Sequence, residues 1–309
     1  MKTKQIGSLE VSVVGLGCNN FGMRIDADAT RAVVDAAIEA GIDYFDTAEM
    51  YGGGLSGQYL GMALAGRRER VHIATKWGAT PPGVERPGRA DEVKTAVEGS
   101  LVRLDTDYID HYQLHRPDPD TPIEETLGAL AELVTEGKIR EIGCSNFDAS
   151  MLDDATTTAT SAGISPFASV QNRYSLLTRD PETNGVLDAC RRNGVAFVPY
   201  FPLESGVLTG KYTAAQSFPE GTRLAAMGDR SAQFIDDERL RIVTAVAEWA
   251  ASSGHTVLDA AMSWLASNDV VATVIAGATK PEQVRSNAAA ATWDMTAEER
   301  AELEALLAG

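Results

Sequence analysis

No stretch of this chain approaches the roughly 20 consecutive apolar residues that a membrane-spanning helix requires. Its first residues, MKTKQIGSLE, lack the apolar core of a secretory signal. No membrane role is therefore expected, and the cytoplasm is the expected location. Positive charge is scarce: 27 Lys and Arg stand against 44 Asp and Glu, a formal net charge of −17. Such a surface repels phosphodiester backbones and anionic lipid, so nucleic-acid binding is not expected and any anionic ligand must find a local nest of donors. Cysteine is limited to Cys18, Cys144 and Cys190, and an odd number at wide spacing fits reduced thiols rather than a disulfide framework. No GxGxxG opens a first helix, which argues against an open, doubly wound sheet. Neither a low-complexity linker nor a boundary divides the 309 residues, so a single domain, 1–309, is expected.

What is present is the composition of an ordinary globular protein, 44% hydrophobic and 23% charged. After a short ribbon over 4–14 that turns at Gly7-Ser8, β-type and helical runs alternate. Strands are expected at 13–17, 42–46, 71–76, 108–115, 139–145, 165–171, 195–200 and 270–277. Amphipathic helices are expected between them, at 28–41, 56–65, 91–104, 124–136, 148–159, 181–193, 256–267 and 281–291. The first of these places Ala32, Val33, Ala36, Ala37 and Ala40 on its apolar face before the terminating Gly41. Strict alternation implies a parallel sheet, and eight units close most economically into a (β/α)8 TIM barrel, here with an N-terminal β-hairpin. Two helical patterns are surplus to that count: 238–253, in the seventh β-to-α connection, and 296–308.

In such a barrel, reactive groups gather at the C-terminal ends of the strands. Asp46 ends the second strand, Tyr51 follows it in FDTAEMYGGG, Lys76 ends the third and His115 the fourth. Each alone has a plain structural reading, as an N-cap, a surface phenol, a solvated strand end or a turn residue. His111 and His115 resemble an i, i+4 metal pair, but four residues of strand span about 13 Å, too far for both rings to reach one ion. No metal is expected. Together the four groups make chemical sense. A Lys76 ammonium would lower the pKa of the Tyr51 phenol, Asp46 would hold the ammonium, and His115 would hydrogen-bond a carbonyl oxygen. Such a site moves protons; a reductase would need a cofactor to carry hydride.

GLGCNNFG (15–22), FDTAEMYG (45–52), ATKWG (74–78), DYIDHYQLHRPDPDTPIEETLGAL (107–130), GKIREIGCSNF (137–147), VQNRYSLL (170–177), YFPLESGVLTGKY (200–212), PEGTR (219–223) and IAGATKPEQV (275–284) are similar to segments of the aldo-keto reductases. The resemblance runs almost from end to end. It points to the bacterial branch, related to the potassium-channel β-subunits, and implies a catalytic tetrad of Asp46, Tyr51, Lys76 and His115. It further implies that Ser145, Asn146 and Gln171 hold a nicotinamide carboxamide, that Tyr200 stacks on the nicotinamide ring, and that Phe201, Pro202, Leu203, Ser205 and Gly206 form the pyrophosphate loop, with Lys211 and Arg223 adding charge. Gly277, Thr279, Gln283 and Asn287 would meet the adenosine end, and Cys18 and Asn19 would border the cofactor. NADPH is the implied cofactor. NADH is also possible, since only Lys280, Arg285 and Arg223 are available to meet a 2′-phosphate. Three residues depart from the pattern: Gly57 where a glutamate is usual, His111 where leucine is usual, and Glu204 in the phosphate loop, whose side chain is expected to point outward.

The leading functional reading is a reductase of small carbonyl substrates with Tyr51 as general acid. The alternative is a nicotinamide-binding regulatory subunit with incidental turnover. A barrel lyase or isomerase using Lys76 as a Schiff base fits less well, because it leaves Tyr51 and the nicotinamide motif unused. Trp77 could line the substrate pocket or pack beneath its loop, and 77–90 and 213–236 are the expected pocket walls. The short C-terminus suggests an open pocket. The physiological substrate and the oligomeric state have no signature in the sequence.

Overall fold

A computed structural model describes residues 1–79, 86–212 and 218–307. Thr3–Ile6 (β1) and Leu9–Ser12 (β2) form an antiparallel hairpin. Eight further strands, Val14–Gly17 (β3), Tyr44–Asp46 (β4), His72–Trp77 (β5), Ile109–Leu114 (β6), Ile139–Ser145 (β7), Ser169–Arg173 (β8), Ala196–Tyr200 (β9) and Val274–Gly277 (β10), pair in parallel in the order β10-β3-β4-β5-β6-β7-β8-β9. A parallel bridge between Phe197 and Val271 joins the two ends, with the Val270 carbonyl accepting from the Phe197 amide at 2.7 Å. The (β/α)8 barrel with an N-terminal hairpin is thus the observed architecture. The hairpin covers the N-terminal end: Ile6, Leu9 and Val11 pack against the inward-facing Tyr44, Ala74 and Val198.

The helices around it are Ala27–Glu39 (α1), Leu55–Leu64 (α2), Ala90–Leu104 (α3), Ile123–Thr135 (α4), Ala149–Ala162 (α5), Asp180–Thr183 (α6), Val186–Asn193 (α7), Arg223–Met227 (α8), Asp237–Ser252 (α9), Val257–Ala266 (α10), Pro281–Ala290 (α11) and Ala297–Leu307 (α12). Several of their starts follow from side-chain capping: Asp26, Asp148 and Asp236 each accept a first-turn amide, and Thr256 forms a reciprocal capping box with Asp259. The apolar face of α1 is centred one position from the sequence expectation. Val34 and Thr30 are buried and Ala32 is exposed, because the face runs through Thr30, Val33, Val34 and Ala37. The helix expected over 181–193 is two, α6 and α7, separated where Gly185 takes a φ of +84°. Both surplus helices are present as α9 and α12, the first in the connection between β9 and β10. The short α8, capped by Thr222, was too brief to show a period.

Inside the barrel, beneath the C-terminal end, lies a polar layer. His111 is fully buried, with the Tyr44 hydroxyl 2.8 Å from Nδ1 and the Ser169 hydroxyl 3.0 Å from Nε2. Gly143 accommodates it: a Cβ there would stand 2.5 Å from His111 Nε2. Burial, reinforced by the Lys76 charge, pulls the imidazole pKa down from 6.5 to about 3.

Because the folded pKa lies below the unfolded one, the unfolded chain binds the extra proton between about pH 3 and 6.5, and stability falls as pH drops through that window. Replacing His111 with Leu removes this contribution. Urea denaturation of His111→Leu at several pH values should show a flatter acid decline than the wild type, even though the variant starts less stable. An unchanged slope would mean that the ring is protonated in the fold. A Gly143→Ala chain should lose about 1–3 kcal/mol through overpacking against the same ring, measured at neutral pH.

Candidate active site

The C-terminal ends of β4, β5, β6 and β8 converge on one buried ion pair. Lys76 Nζ donates to Asp46 Oδ1 at 2.6 Å and to the Thr47 carbonyl at 2.9 Å. The other carboxylate oxygen of Asp46 accepts from Gln171 Nε2 at 2.9 Å and from Gln113 Nε2 at 3.4 Å. The Lys76 side chain is 0% exposed. Burial alone would pull its pKa down, but the facing Asp46 and Tyr51 outweigh that and raise it, so the ammonium is held charged. Gln113 escaped the sequence reading. The signal was available, since His111, Gln113 and His115 alternate along β6 and its end, the period of a strand with one polar face turned into the barrel.

Tyr51 stands over this pair. Lys76 Nζ lies 5.3 Å from its ring centroid, and the His115 ring meets it edge-on at 6.0 Å. The three glycines after Tyr51 explain how the chain gets there: Gly52, Gly53 and Gly54 take φ values of +59°, +63° and +95°. A Cβ on Gly52 would also come within 2.8 Å of the Phe21 carbonyl. The phenol departs from expectation. Burial raises its pKa above 10, and the Lys76 charge opposes this without reversing it. His115 is held at about 3 by burial, then by Lys76 and Arg116, and is neutral near pH 7. Its buried Nδ1 has no partner among the described residues.

These groups open into a cleft of about 680 Å³ that runs from Asp46, Tyr51 and His115 past Tyr200 to Gly277, Thr279, Gln283 and Asn287. Asn19, Ser145, Asn146, Gln171, Phe201, Pro202, Leu203, Ser205, Gly206, Lys211 and Arg223 also line it. Cys18 does not. Its thiol is buried 3.6 Å from the Leu16 carbonyl, and its amide supports the site from behind by donating to the Asp46 carbonyl at 2.8 Å. Trp77 does not line the cleft either: it stacks on Tyr112 with centroids 4.5 Å apart and donates to the Pro87 carbonyl at 2.9 Å. Arg285 lies on α11 beside Glu39, at 3.5 Å, away from the cleft. Arg24, Arg116 and Glu220 line it and were not singled out by sequence. Of the expected walls, 80–85 and 213–217 lie outside the described residues.

Several cleft residues are pre-set. Asn146, at φ +62°, donates to the His115 carbonyl at 3.0 Å and accepts from the Tyr200 hydroxyl at 2.9 Å. Gln283 Oε1 accepts from the Thr279 amide at 2.8 Å. The loop after β9 is strained: Phe201, Glu204 and Ser205 have φ of +54°, +44° and +57°, a region that non-glycine residues seldom occupy. Glu204 holds it. Instead of pointing outward, its carboxylate is fully buried, pairs with Arg173 and accepts from the Ser175 hydroxyl at 2.7 Å, since an inward turn finds donors that solvent-facing geometry would lack. The Ser205 hydroxyl, also buried, has no partner among the described residues although the residue lines the cleft.

The family model described as "Aldo/keto reductase family" matches residues 13–308. The chain is 33% identical over 300 residues to a probable voltage-gated potassium channel subunit beta of Oryza sativa subsp. japonica, covering 93% of this chain and 90% of that one. It is 32% identical over 300 residues, with the same coverage, to a protein of the same description from Arabidopsis thaliana. It is 34% identical over 319 residues to aldo-keto reductase str7 of Strobilurus tenacellus, covering 99% of this chain and 92% of that protein.

Removing the loop's anchor should be costly. Glu204→Ala leaves the Arg173 guanidinium without its carboxylate, and a loss of about 3 kcal/mol is expected, the low end for a broken buried pair because Arg173 keeps 32% of its side chain in solvent. Chemical denaturation reads the loss directly. A change below about 0.5 kcal/mol would show that the loop holds its shape without the pair.

Proposed function

Since the chain belongs to the aldo/keto reductase family, we propose that it is an NADPH-dependent reductase converting small aldehydes and ketones to alcohols in the cytoplasm, with residues 1–309 acting as one barrel unit. The observation that carries this reading is the charged Lys76–Asp46 pair beneath the protonated phenol of Tyr51, with a neutral imidazole beside it. The phenol gives its proton to the carbonyl oxygen. His115, neutral and so able to donate from one nitrogen while accepting at the other, orients that oxygen. Lys76 stabilises the phenolate left behind, and Asp46 keeps the ammonium in place.

The cleft residues suit a nicotinamide dinucleotide. Gln171 commits its Nε2 to Asp46, and Oε1 takes part in no hydrogen bond among the described residues, which leaves an acceptor for the carboxamide. The orphaned Ser205 hydroxyl and the strained loop around it suit a pyrophosphate, with Lys211 and Arg223 beside them. Arg223, Lys280 and Arg24, which line the cleft, are the candidates to meet a 2′-phosphate, and they favour NADPH while allowing NADH. When bound, the dinucleotide supplies the hydride. A second reading, a nucleotide-binding regulatory subunit with incidental turnover, is favoured by the similarity to channel β-subunits. Sustained turnover of an aldehyde separates the two.

Tyr51→Phe should keep the NADPH dissociation constant, read by nucleotide fluorescence, within about twofold, and should lower kcat by about a hundredfold or more, the usual contribution of a positioned general acid. Near wild-type turnover would exclude Tyr51 as the proton donor. Arg223→Ala should weaken NADPH binding by about tenfold or more, as expected for one charge-assisted hydrogen bond, and NADH binding by less. Equal losses would move the guanidinium from the 2′-phosphate to the pyrophosphate.

A further inference from the structure

Among the described residues five cationic side chains line the cleft: Arg24, Arg116, Lys211, Arg223 and Lys280. Four cluster around the phosphate loop and the distal end. Arg223 lies 5.3 Å from the Phe201 ring centroid, and Arg24 donates to the Gly221 carbonyl at 3.4 Å. Lys211 Nζ packs so close to Gly206 that a Cβ there would stand 2.6 Å away. Lys280 directly precedes α11. Under the function proposed above, the negative charge of a dinucleotide accounts for these four.

Arg116 is left over, and it is at the other end. It immediately follows His115 beyond β6, is exposed, and forms no ion pair or side-chain hydrogen bond among the described residues. Its charge is felt by the two aromatic groups beside it, depressing the pKa of His115 and opposing the burial that raises Tyr200. The acids that line the cleft do not answer it. Asp46 is committed to Lys76, and Glu220 lies in the segment next to Gly221, where Arg24 reaches. Neutral His115 supplies no charge of its own. On a chain of net charge −17, a guanidinium with no acidic partner among the described residues, next to the residue assigned to the carbonyl oxygen, is a local exception to the repulsive surface.

We propose that Arg116 recognises a carboxylate on the substrate, so that the preferred substrates are small aldehydes bearing a carboxylate a few bonds from the carbonyl. This rests on the reductase reading and names its substrate class. A planar guanidinium offers two parallel N–H donors that match a carboxylate, which also fixes the orientation of the molecule while His115 and Tyr51 hold the carbonyl oxygen. In the reaction the carbonyl carbon gains a hydride from NADPH and the oxygen gains the Tyr51 proton. The aldehyde becomes a primary alcohol, the dinucleotide leaves oxidised, and the carboxylate is unchanged.

The test uses a matched pair, 4-formylbenzoate and its methyl ester, which differ in charge at one end of a rigid ring. With saturating NADPH, wild-type kcat/KM should favour the acid by about tenfold or more, mainly through KM, and the preference should shrink with added salt. In Arg116→Leu the acid-to-ester ratio should collapse towards one, and Arg116→Lys should restore part of it. Binding gives a second readout: calorimetric titration of the full-length chain with 4-(hydroxymethyl)benzoate in the presence of NADP⁺ should show association that Arg116→Leu weakens by about tenfold or more. Equal use of acid and ester by the wild type, or an acid preference that survives in Arg116→Leu, overturns the proposal. If neither aldehyde turns over while NADPH binds, the reductase reading fails, and the titration still decides Arg116: undiminished binding to Arg116→Leu, or no binding to the wild type, rejects it.

Discussion

A lysine with no exposed surface is stable as a cation only where the fold returns what water would have supplied, and the barrel is organised to do this for Lys76. Removing an ammonium and a carboxylate from solvent costs several kcal/mol each, recovered only with close geometry and further hydrogen bonds. Lys76 receives Asp46 at 2.6 Å and a backbone carbonyl at 2.9 Å, while Gln171 and Gln113 satisfy the far oxygen of Asp46. Together with Lys76 these groups come from four strands, β4, β5, β6 and β8, so the full set of bonds around the ion pair is assembled by the barrel and not by one strand pair alone. Tyr51, carried over it by a three-glycine turn, then sits where the field of that ammonium opposes the burial of its phenol. The proton chemistry assigned to the site is a consequence of this one desolvated pair.

The loop after β9 illustrates the same economy. Three non-glycine residues in the left-handed region cost about 1–3 kcal/mol each, and the compensating interaction is a carboxylate that would repel a phosphate if it faced the cleft. Glu204 faces inward to Arg173 and Ser175, which hides its charge from the cleft and fixes the backbone that carries Ser205. A residue that looks like an electrostatic error in the sequence is thus a structural anchor, and the cleft keeps its positive lining.

The strand and helix periods were readable because the alternation of the two is strict, and some of the longer helices also open on a capping side chain, at Asp26, Asp148, Asp236 and Thr256. All eight barrel strands lie at or within a few residues of the expected ranges. The split at Gly185 was harder, since α6 contains a single turn and shows no period. Asp46, Tyr51, Lys76 and His115 were legible because a barrel collects polar strand ends on one face, so position alone grouped them. Gln113, Arg24 and Arg116 were not, because long polar side chains on a strand or loop look alike in sequence whether they face solvent, a cleft or a buried carboxylate. The same ambiguity covered Trp77, whose stacking on Tyr112 depends on the neighbouring strand, and Cys18, whose thiol turns away from the cleft while its amide supports Asp46. The direction of the Tyr51 pKa shift was also out of reach, since it depends on how deeply the phenol is buried.

Following a label through the reaction addresses the central assignment most directly. The full chain is incubated with NADPH carrying deuterium at C4 of the nicotinamide and with an aldehyde, and the alcohol is examined by mass spectrometry. A reductase places one deuterium on the carbinol carbon, at a rate that falls sharply in Tyr51→Phe, and the label does not wash out into solvent. Tight NADPH binding with no deuterium transferred to any member of an aldehyde panel would contradict the account and leave a nucleotide-binding protein in place of an enzyme.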